Sequence, residues 1–208
     1  MRNAVRLFGL AGLIAGSVSC GNAVRSGSSP VYLTIVSLLG SRGNVTAGQP
    51  TSPVLSDVLT NVTSPLPCTP QAPCPTIFDD PGVVALRAPL KDLGVSGTLA
   101  PTSNNEVTIT RYHVEYIRAD GRNTPGVDVP YPFDGAVTGT IAAAETRSFT
   151  FELVRHVAKQ ESPLVQLVTS ANVITTIARV TFYGQDRTGN AVSATGQIQV
   201  NFGNFGDF

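Results

Sequence analysis

The side chains best suited to catalysis are few and widely spaced. The chain has two histidines, His113 and His156, each within a predicted strand. An acid–base or nucleophilic role would need a nucleophile and an acid beside one of them, and no G-x-S-x-G pattern occurs. Phosphate-loop, dinucleotide and zinc-protease motifs are also missing from the sequence. The sequence therefore predicts a protein that is not an enzyme and carries no cofactor.

Acidic residues gather in predicted loops, which makes calcium the metal to consider. They are Asp79, Asp80, Asp120, Asp128, Asp134 and Asp186. Calcium needs several oxygen ligands converging on one point, and Asp120 and Asp186 are the candidates because they occupy turns after long strands. No D-x-D-x-D run is present. The alternative is that these aspartates form turns, as aspartate commonly does.

The first nineteen residues have the pattern of an export signal. Arg2 and Arg6 precede an apolar run from Leu7 to Gly16, and Ser17-Val18-Ser19 supplies small residues at the cleavage positions. The apolar run is too short to span a bilayer, which takes roughly 20 residues. The sequence therefore predicts a signal peptide at 1–19.

Cys20 follows these small residues directly and resembles the lipidated cysteine of bacterial lipoproteins. The resemblance implies that Cys20 becomes the lipid-bearing first residue, with 20–29 as a polar tether. That family usually has leucine where this chain has Ser17, so ordinary cleavage near Cys20 stays open. Cys68 and Cys74 lie six residues apart and can form a disulfide in an oxidising compartment. A metal site there lacks further cysteine or histidine ligands.

Partner classes follow from charge and aromatic content. Net charge is zero without a basic run, which argues against nucleic acid. Tryptophan is absent, which weakens a sugar-stacking site. The run Pro130-Tyr131-Pro132-Phe133 predicts an aromatic contact loop, with Tyr131 and Phe133 as its candidate residues.

Strand patterns dominate the elements that would position these residues. From Thr175 to Phe202 the chain reads as two long strands joined by the turn Asp186–Asn190, with strict alternation from Val192 to Phe202. Glu106–Arg118 is a further strand whose apolar phase switches near Thr110-Arg111, which indicates a bulge. Ser148–Val157 is another, with Phe149, Phe151 and Leu153 on one face.

The remaining segments divide into strands, an irregular arm and one helical turn. Strands are also predicted at 31–39, 83–91 and 135–141, and 54–62 is ambiguous between an edge strand and a helical turn. Residues 40–82 read as an arm rich in proline and glycine that holds the cysteine pair. A single helical turn is predicted within 163–168. The total is seven or eight strands in an all-β, antiparallel sandwich.

The segment from Val83 to Phe202 is similar to immunoglobulin-like and fibronectin-type-III-like modules. The turn Asp186-x-x-Gly189-Asn190 after Phe182-Tyr183 carries the resemblance. It implies that the terminal hairpin is F–G, that 106–118 is strand C, and that Tyr112 or Tyr116 fills the place of the core tryptophan. The implied domain is 30–202, followed by a tail at 203–208.

These observations together predict a non-enzymatic exported lipoprotein with an immunoglobulin-like module of structural or protein-binding function. Its expected location is the cell envelope, on the periplasmic or surface face, and secretion is the alternative. The expected partners are a membrane, through the lipid anchor, and another envelope protein or a glycan. A carbohydrate-binding or adhesion domain is the alternative function, and a β-sandwich hydrolase is a third.

Overall fold

A computed structural model describes residues 29–46, 48–91 and 102–206 of the chain. The predicted signal peptide, Cys20 and the tether up to residue 28 lie outside the described residues, and so do the last two residues of the tail. The described chain is an all-β fold with one short α-helix.

Within the described ranges, ten strands form three sheets, which is more than the seven or eight predicted. The strands are β1 (Thr34–Gly40), β2 (Val54–Asp57), β3 (Thr60–Val62), β4 (Cys74–Thr76), β5 (Asp80–Arg87), β6 (Val107–Ile117), β7 (Phe133–Ile141), β8 (Thr146–Val154), β9 (Ile174–Asp186) and β10 (Ala191–Gly203). One sheet has five strands in the order β2-β10-β9-β6-β7, a second has three in the order β1-β5-β8, and β3 pairs with β4. The additional strands are the short ones of the arm.

The terminal hairpin is confirmed. β9 and β10 pair antiparallel from Gln185–Ala191 to Ile174–Phe202. Along β10 the large apolar residues of the alternation are buried, because one face of the strand lies on the core: Val192, Ile198, Val200 and Phe202.

The bulge predicted near Thr110-Arg111 is also confirmed. The pairing of β6 with both neighbours, β7 and β9, shifts register between Ile109 and Arg111. An extra residue in one strand reverses which face later side chains point to. This places Tyr112 and Tyr116 in the same core as Ile109, and all three are buried.

The core lies between the five-stranded and the three-stranded sheet. Phe151 of β8 packs edge-on against Tyr112 and Phe182, with ring centroids 5.1 and 5.2 Å apart. The two buried tyrosines also bond to the backbone of β8. Tyr116 Oη donates to the carbonyl of Leu153 at 2.7 Å, and Tyr112 Oη accepts from the amide of Glu152 at 3.1 Å. Aromatic packing and satisfied hydroxyls together fix how the sheets meet.

Two features differ from the prediction. β2 pairs in parallel with β10, so the five-stranded sheet is not purely antiparallel. β8 ends at Val154, three residues early, and His156 begins the helix α1 (His156–Gln160). In the ambiguous segment 54–62 the edge-strand alternative is confirmed, because β2 lies at the edge of the five-stranded sheet and β3 follows it. The helical turn predicted within 163–168 is confirmed as a 3₁₀ turn, Leu164–Leu167, and another such turn spans Ser103–Asn105.

Candidate functional site: a proline-rich loop

Residues 118–132, here the β6–β7 loop, connect two neighbouring strands of the five-stranded sheet. The carbonyl of Thr124 accepts amide hydrogen bonds from Val127 and Asp128 at 3.1 and 2.8 Å. The amide of Gly126 donates to the carbonyl of Val129 at 2.8 Å. Backbone bonds within the loop and three prolines hold it in one shape, so its surface is preorganised.

Tyr131 is the aromatic residue that this loop presents to solvent. Its exposed fraction is 50%. Gly126 has a φ of +75°, and a Cβ atom placed there would lie 2.3 Å from the Tyr131 hydroxyl oxygen. The tyrosine ring therefore lies across a position that only glycine can fill without a clash. Tyr131 is thus held against its own loop with half of its surface free for contact.

A cleft of about 350 Å³ opens between this loop and the sheet. Its lining includes Pro130 and Pro132, which flank Tyr131, and Ile117, Glu115 and Arg179 on the sheet. Arg179 Nε lies 2.6 Å from Glu115 Oε1. Proline and isoleucine surfaces offer apolar contact, and the ion pair offers a polar edge, which is a combination suited to recognition.

The other predicted member of the contact loop is not on the surface. Phe133 is only 7% exposed and packs against Tyr112 with a centroid distance of 6.2 Å. The guanidinium of Arg155 covers it at 4.4 Å. Phe133 is the first residue of β7, and the alternation of that strand points it inward. Of the predicted pair, only Tyr131 is available for contact.

The two aspartates considered for calcium lie at opposite ends of the sheet, so they do not share one site. Asp186 is opposite Val107 at the start of β6, whereas Asp120 follows the end of the same strand. Asp120 is exposed, and hydrogen bonds from Arg118 and Arg122 lower its pKa. Among the residues that the structure describes, no three His, Cys, Asp or Glu side chains group as a metal site would require.

Asp186 instead organises the β9–β10 turn. Its Oδ1 accepts bonds from the amide and hydroxyl of Thr188 and from the amide of Asn190, at 2.9, 2.7 and 2.9 Å. Burial alone raises the pKa of this carboxyl, but the hydrogen bonds from Asn190 and Thr188 outweigh it and bring the pKa to about 2. The alternative reading of Asp186 as a turn-forming residue is therefore the one that the geometry supports.

The histidines are in two different settings. His113 Nδ1 lies 3.2 Å from Asp134 Oδ1, and Arg111 Nη1 lies 3.3 Å from the same oxygen. Asp134 is largely exposed, so this group lies on the open outer surface of the sheet. His156 begins α1. A catalytic site needs groups that converge in a sheltered cleft, and the His113 group does not have that setting.

The predicted disulfide is confirmed. Cys68 and Cys74 are bonded, with their Cα atoms 5.3 Å apart. The bond ties the loop between β3 and β4 to the first residue of β4. Residues Thr69 and Ala72 close the loop with reciprocal backbone hydrogen bonds of 3.1 Å.

Sequence reasoning missed a buried ion pair. Lys159 Nζ lies 2.8 Å from Asp80 Oδ1, and both side chains are enclosed. The amide of Gly43 and the hydroxyl of Ser56 also donate to this carboxylate. Burial raises the pKa of Asp80, and Lys159 opposes that effect. Asp80 has the sequence context of a turn and Lys159 lies in the connection after a predicted strand, so no sequence signal would have paired them. Because solvent does not reach the pair, we infer that its role is structural.

Comparison with known proteins leaves the family open. No protein-family model matches the chain. No curated protein matches it. One solved X-ray structure, a Northeast Structural Genomics Consortium target, aligns with 82% of this chain and 86% of its own at 10% identity, with a TM-score of 0.35. That likeness is too low to carry an argument. Within the described ranges, no helix has the length and apolar character needed to cross a bilayer.

Proposed function

We propose that this chain is a non-enzymatic, exported lipoprotein of the cell envelope whose β domain binds another protein. Tyr131 carries the proposal, since a half-exposed tyrosine on a preorganised loop beside a cleft is typical of binding sites. Rigid aromatic side chains contribute large contact area at a low cost in conformational entropy. The export signal and Cys20 support the anchor.

We infer further that the domain is immunoglobulin-like. The strand order β2-β10-β9-β6-β7 supports this, because it matches A′-G-F-C-C′, and β1-β5-β8 matches A-B-E. The parallel β2–β10 pair then corresponds to A′ beside G. Tyr112 and Tyr116 in strand C would share the place that tryptophan fills in antibody domains.

The anchor is tested by the intact mass of the protein isolated from membranes. We expect cleavage before Cys20 with an added diacylglyceryl group. The same spectrum should show a two-hydrogen deficit for the Cys68–Cys74 bond. A soluble, lipid-free product would refute the anchor.

The binding role is tested by placing a photo-crosslinking amino acid at position 131 in cells that produce the protein. Tyr32 is the matched control, because it is a tyrosine of similar exposure at the opposite end of the fold. We expect a discrete protein adduct from position 131 only. Equal adducts from both positions, or none from position 131, would count against this loop as the binding surface.

A further inference from the structure

The chain enters the fold at the end of the sheet that carries the β9–β10 turn, here called the turn end. Ser29 is buried and lies near Asp186 of that turn, where it helps to lower the pKa of the carboxyl. The next residues continue along this end of the fold. Pro30 accepts the amide of Lys91 at 2.9 Å, and Val31 pairs with Leu90. A tether from Cys20 therefore reaches the domain at its turn end.

The β6–β7 loop and the β3–β4 hairpin lie at the other end, here called the loop end. Along β6 the chain runs from Val107, which is paired with Asp186, to Ile117, which is paired with Ile177, and then enters the β6–β7 loop. β2 runs beside the last residues of β10 and then enters the hairpin. β9 and β10 have thirteen residues each, and strands rise about 3.3 Å per residue, so roughly 40 Å separates the two ends.

The hairpin at the loop end has the properties of a binding element. Residues 58–78 contain no Asp, Glu, Lys, Arg or His. Leu66, between two prolines, is 82% exposed, and the disulfide holds the hairpin closed. At the same end, Val127 of the β6–β7 loop is 65% exposed and Tyr131 is half exposed. The loop end therefore presents exposed apolar side chains on two supports, the hairpin and the β6–β7 loop.

The length of the tether limits how the domain can stand on a membrane. Nine residue steps separate Cys20 from Ser29, which span at most ~30 Å when fully extended. That reach is shorter than the distance between the two ends of the domain. An upright domain therefore cannot turn its loop end towards the bilayer in which Cys20 is anchored.

We propose that the β3–β4 hairpin and the β6–β7 loop form one recognition end, which the lipid anchor holds away from its own bilayer. The proposal rests on the proposed function. The partner is a protein that lies outside the lipid headgroup layer and offers an apolar surface with few charges. Uncharged residues next to exposed leucine, valine and tyrosine match such a surface. The hairpin offers no cation for a lipid phosphate, and the two arginines of the β6–β7 loop, Arg118 and Arg122, are paired with Asp120.

The orientation is tested by energy transfer from single dyes on the lipidated full chain in vesicles of phosphatidylethanolamine and phosphatidylglycerol. Acceptor dyes are placed on the headgroups, and donors are coupled to a clickable amino acid at position 187, 66 or 127, so that Cys20 keeps its lipid. We expect transfer from position 187 to be several-fold higher than from positions 66 and 127, because Arg187 lies in the β9–β10 turn.

Equal transfer from all three positions would show a domain lying flat and would overturn the orientation while leaving the anchor intact. Failure of the full chain to associate with vesicles would overturn the anchor, and this proposal with it. The two failures are therefore distinguishable.

The partner class is tested by photo-crosslinking from position 66 in producing cells, with position 187 as the control. We expect a protein adduct at position 66 that is the same species as at position 131, and none at position 187. Lipid adducts at position 66, or a shared adduct at position 187, would overturn the recognition end.

Discussion

Asp80 and Lys159 form an ion pair from which solvent is excluded. Removing one partner leaves the other charge buried, and such a change costs about 3–5 kcal/mol of unfolding free energy. We expect that loss for Lys159→Met in urea denaturation. Lys91→Met makes the same chemical change at an exposed lysine and should cost less than about 1 kcal/mol. Similar losses in the two variants would contradict the structural role of the buried pair.

Asp186 makes stability depend on pH through its turn. Its pKa of about 2 in the fold is below the ordinary value of 3.8. A lowered carboxyl pKa stabilises the fold above the ordinary value, and that stabilisation is lost as pH falls towards 2. We expect Asp186→Asn to lose about 2 kcal/mol at neutral pH, because hydrogen bonds to a charged group are stronger than neutral ones. Denaturant midpoints of the wild type and the variant, measured between pH 6 and pH 2.5 in steps of roughly half a pH unit, would show how their stabilities change with pH.

The difference between the wild type and Asp186→Asn should narrow as the pH decreases. Parallel curves would show that the turn does not depend on the charge of Asp186.

At the scale of elements, the β6–β7 loop depends on contact between Gly126 and Tyr131. Gly121 in the same loop also has a positive φ, of +81°, but an added Cβ there would meet no atom within 4 Å. Both Gly121→Ala and Gly126→Ala should lose about 1–2 kcal/mol of unfolding free energy, because a residue with a Cβ is disfavoured in the left-handed backbone conformation. Only Gly126→Ala should also displace the tyrosine ring. This displacement should appear as shifts of the Tyr131 ring signals in an NMR spectrum of tyrosine-labelled protein. Equal shifts in both variants would contradict the dependence of the loop on the contact between Gly126 and Tyr131.

Local patterns explain which elements were predictable. The β9–β10 hairpin and the β6 bulge follow from alternation within one strand, which a sequence displays directly. The parallel pairing of β2 with β10 does not follow from such a pattern. A four-residue strand carries little periodicity, and its partner strand begins far along the chain, at Ala191. The phase of β7, which buries Phe133, depends on where that strand begins.

The same reasoning applies to the candidate site. The prolines around Tyr131 predict an exposed aromatic loop, and the Tyr131 side chain is half exposed in the structure. The cleft beside it needs Glu115 and Arg179 from two neighbouring strands, and the Asp80–Lys159 pair joins residues 79 positions apart. Neither arrangement can be recognised from a local sequence pattern, because both depend on how segments distant in sequence are brought together.

At the scale of the whole molecule, the two-sheet body and the β3–β4 hairpin should be separable. Among the described residues, β3 and β4 pair only with each other. Thr60 and Thr76 are paired neighbours at the base of the hairpin, so a two-residue Asn-Gly turn can replace residues 61–75. We expect this variant to keep the unfolding free energy within about 1 kcal/mol of wild type, because few buried apolar contacts are lost.

The Cys68→Ser/Cys74→Ser double variant is the matched control, because it keeps the full hairpin and removes only its closure. Hydrogen exchange should increase within residues 60–76 of the control and stay slow in β9 and β10, since local opening of a projecting element need not disturb the core. Both variants should also lose the adduct formed from position 131 if the partner contacts hairpin and loop together. Unfolding of either variant as a whole would show that the hairpin is part of the core and would exclude its role as a separate binding element.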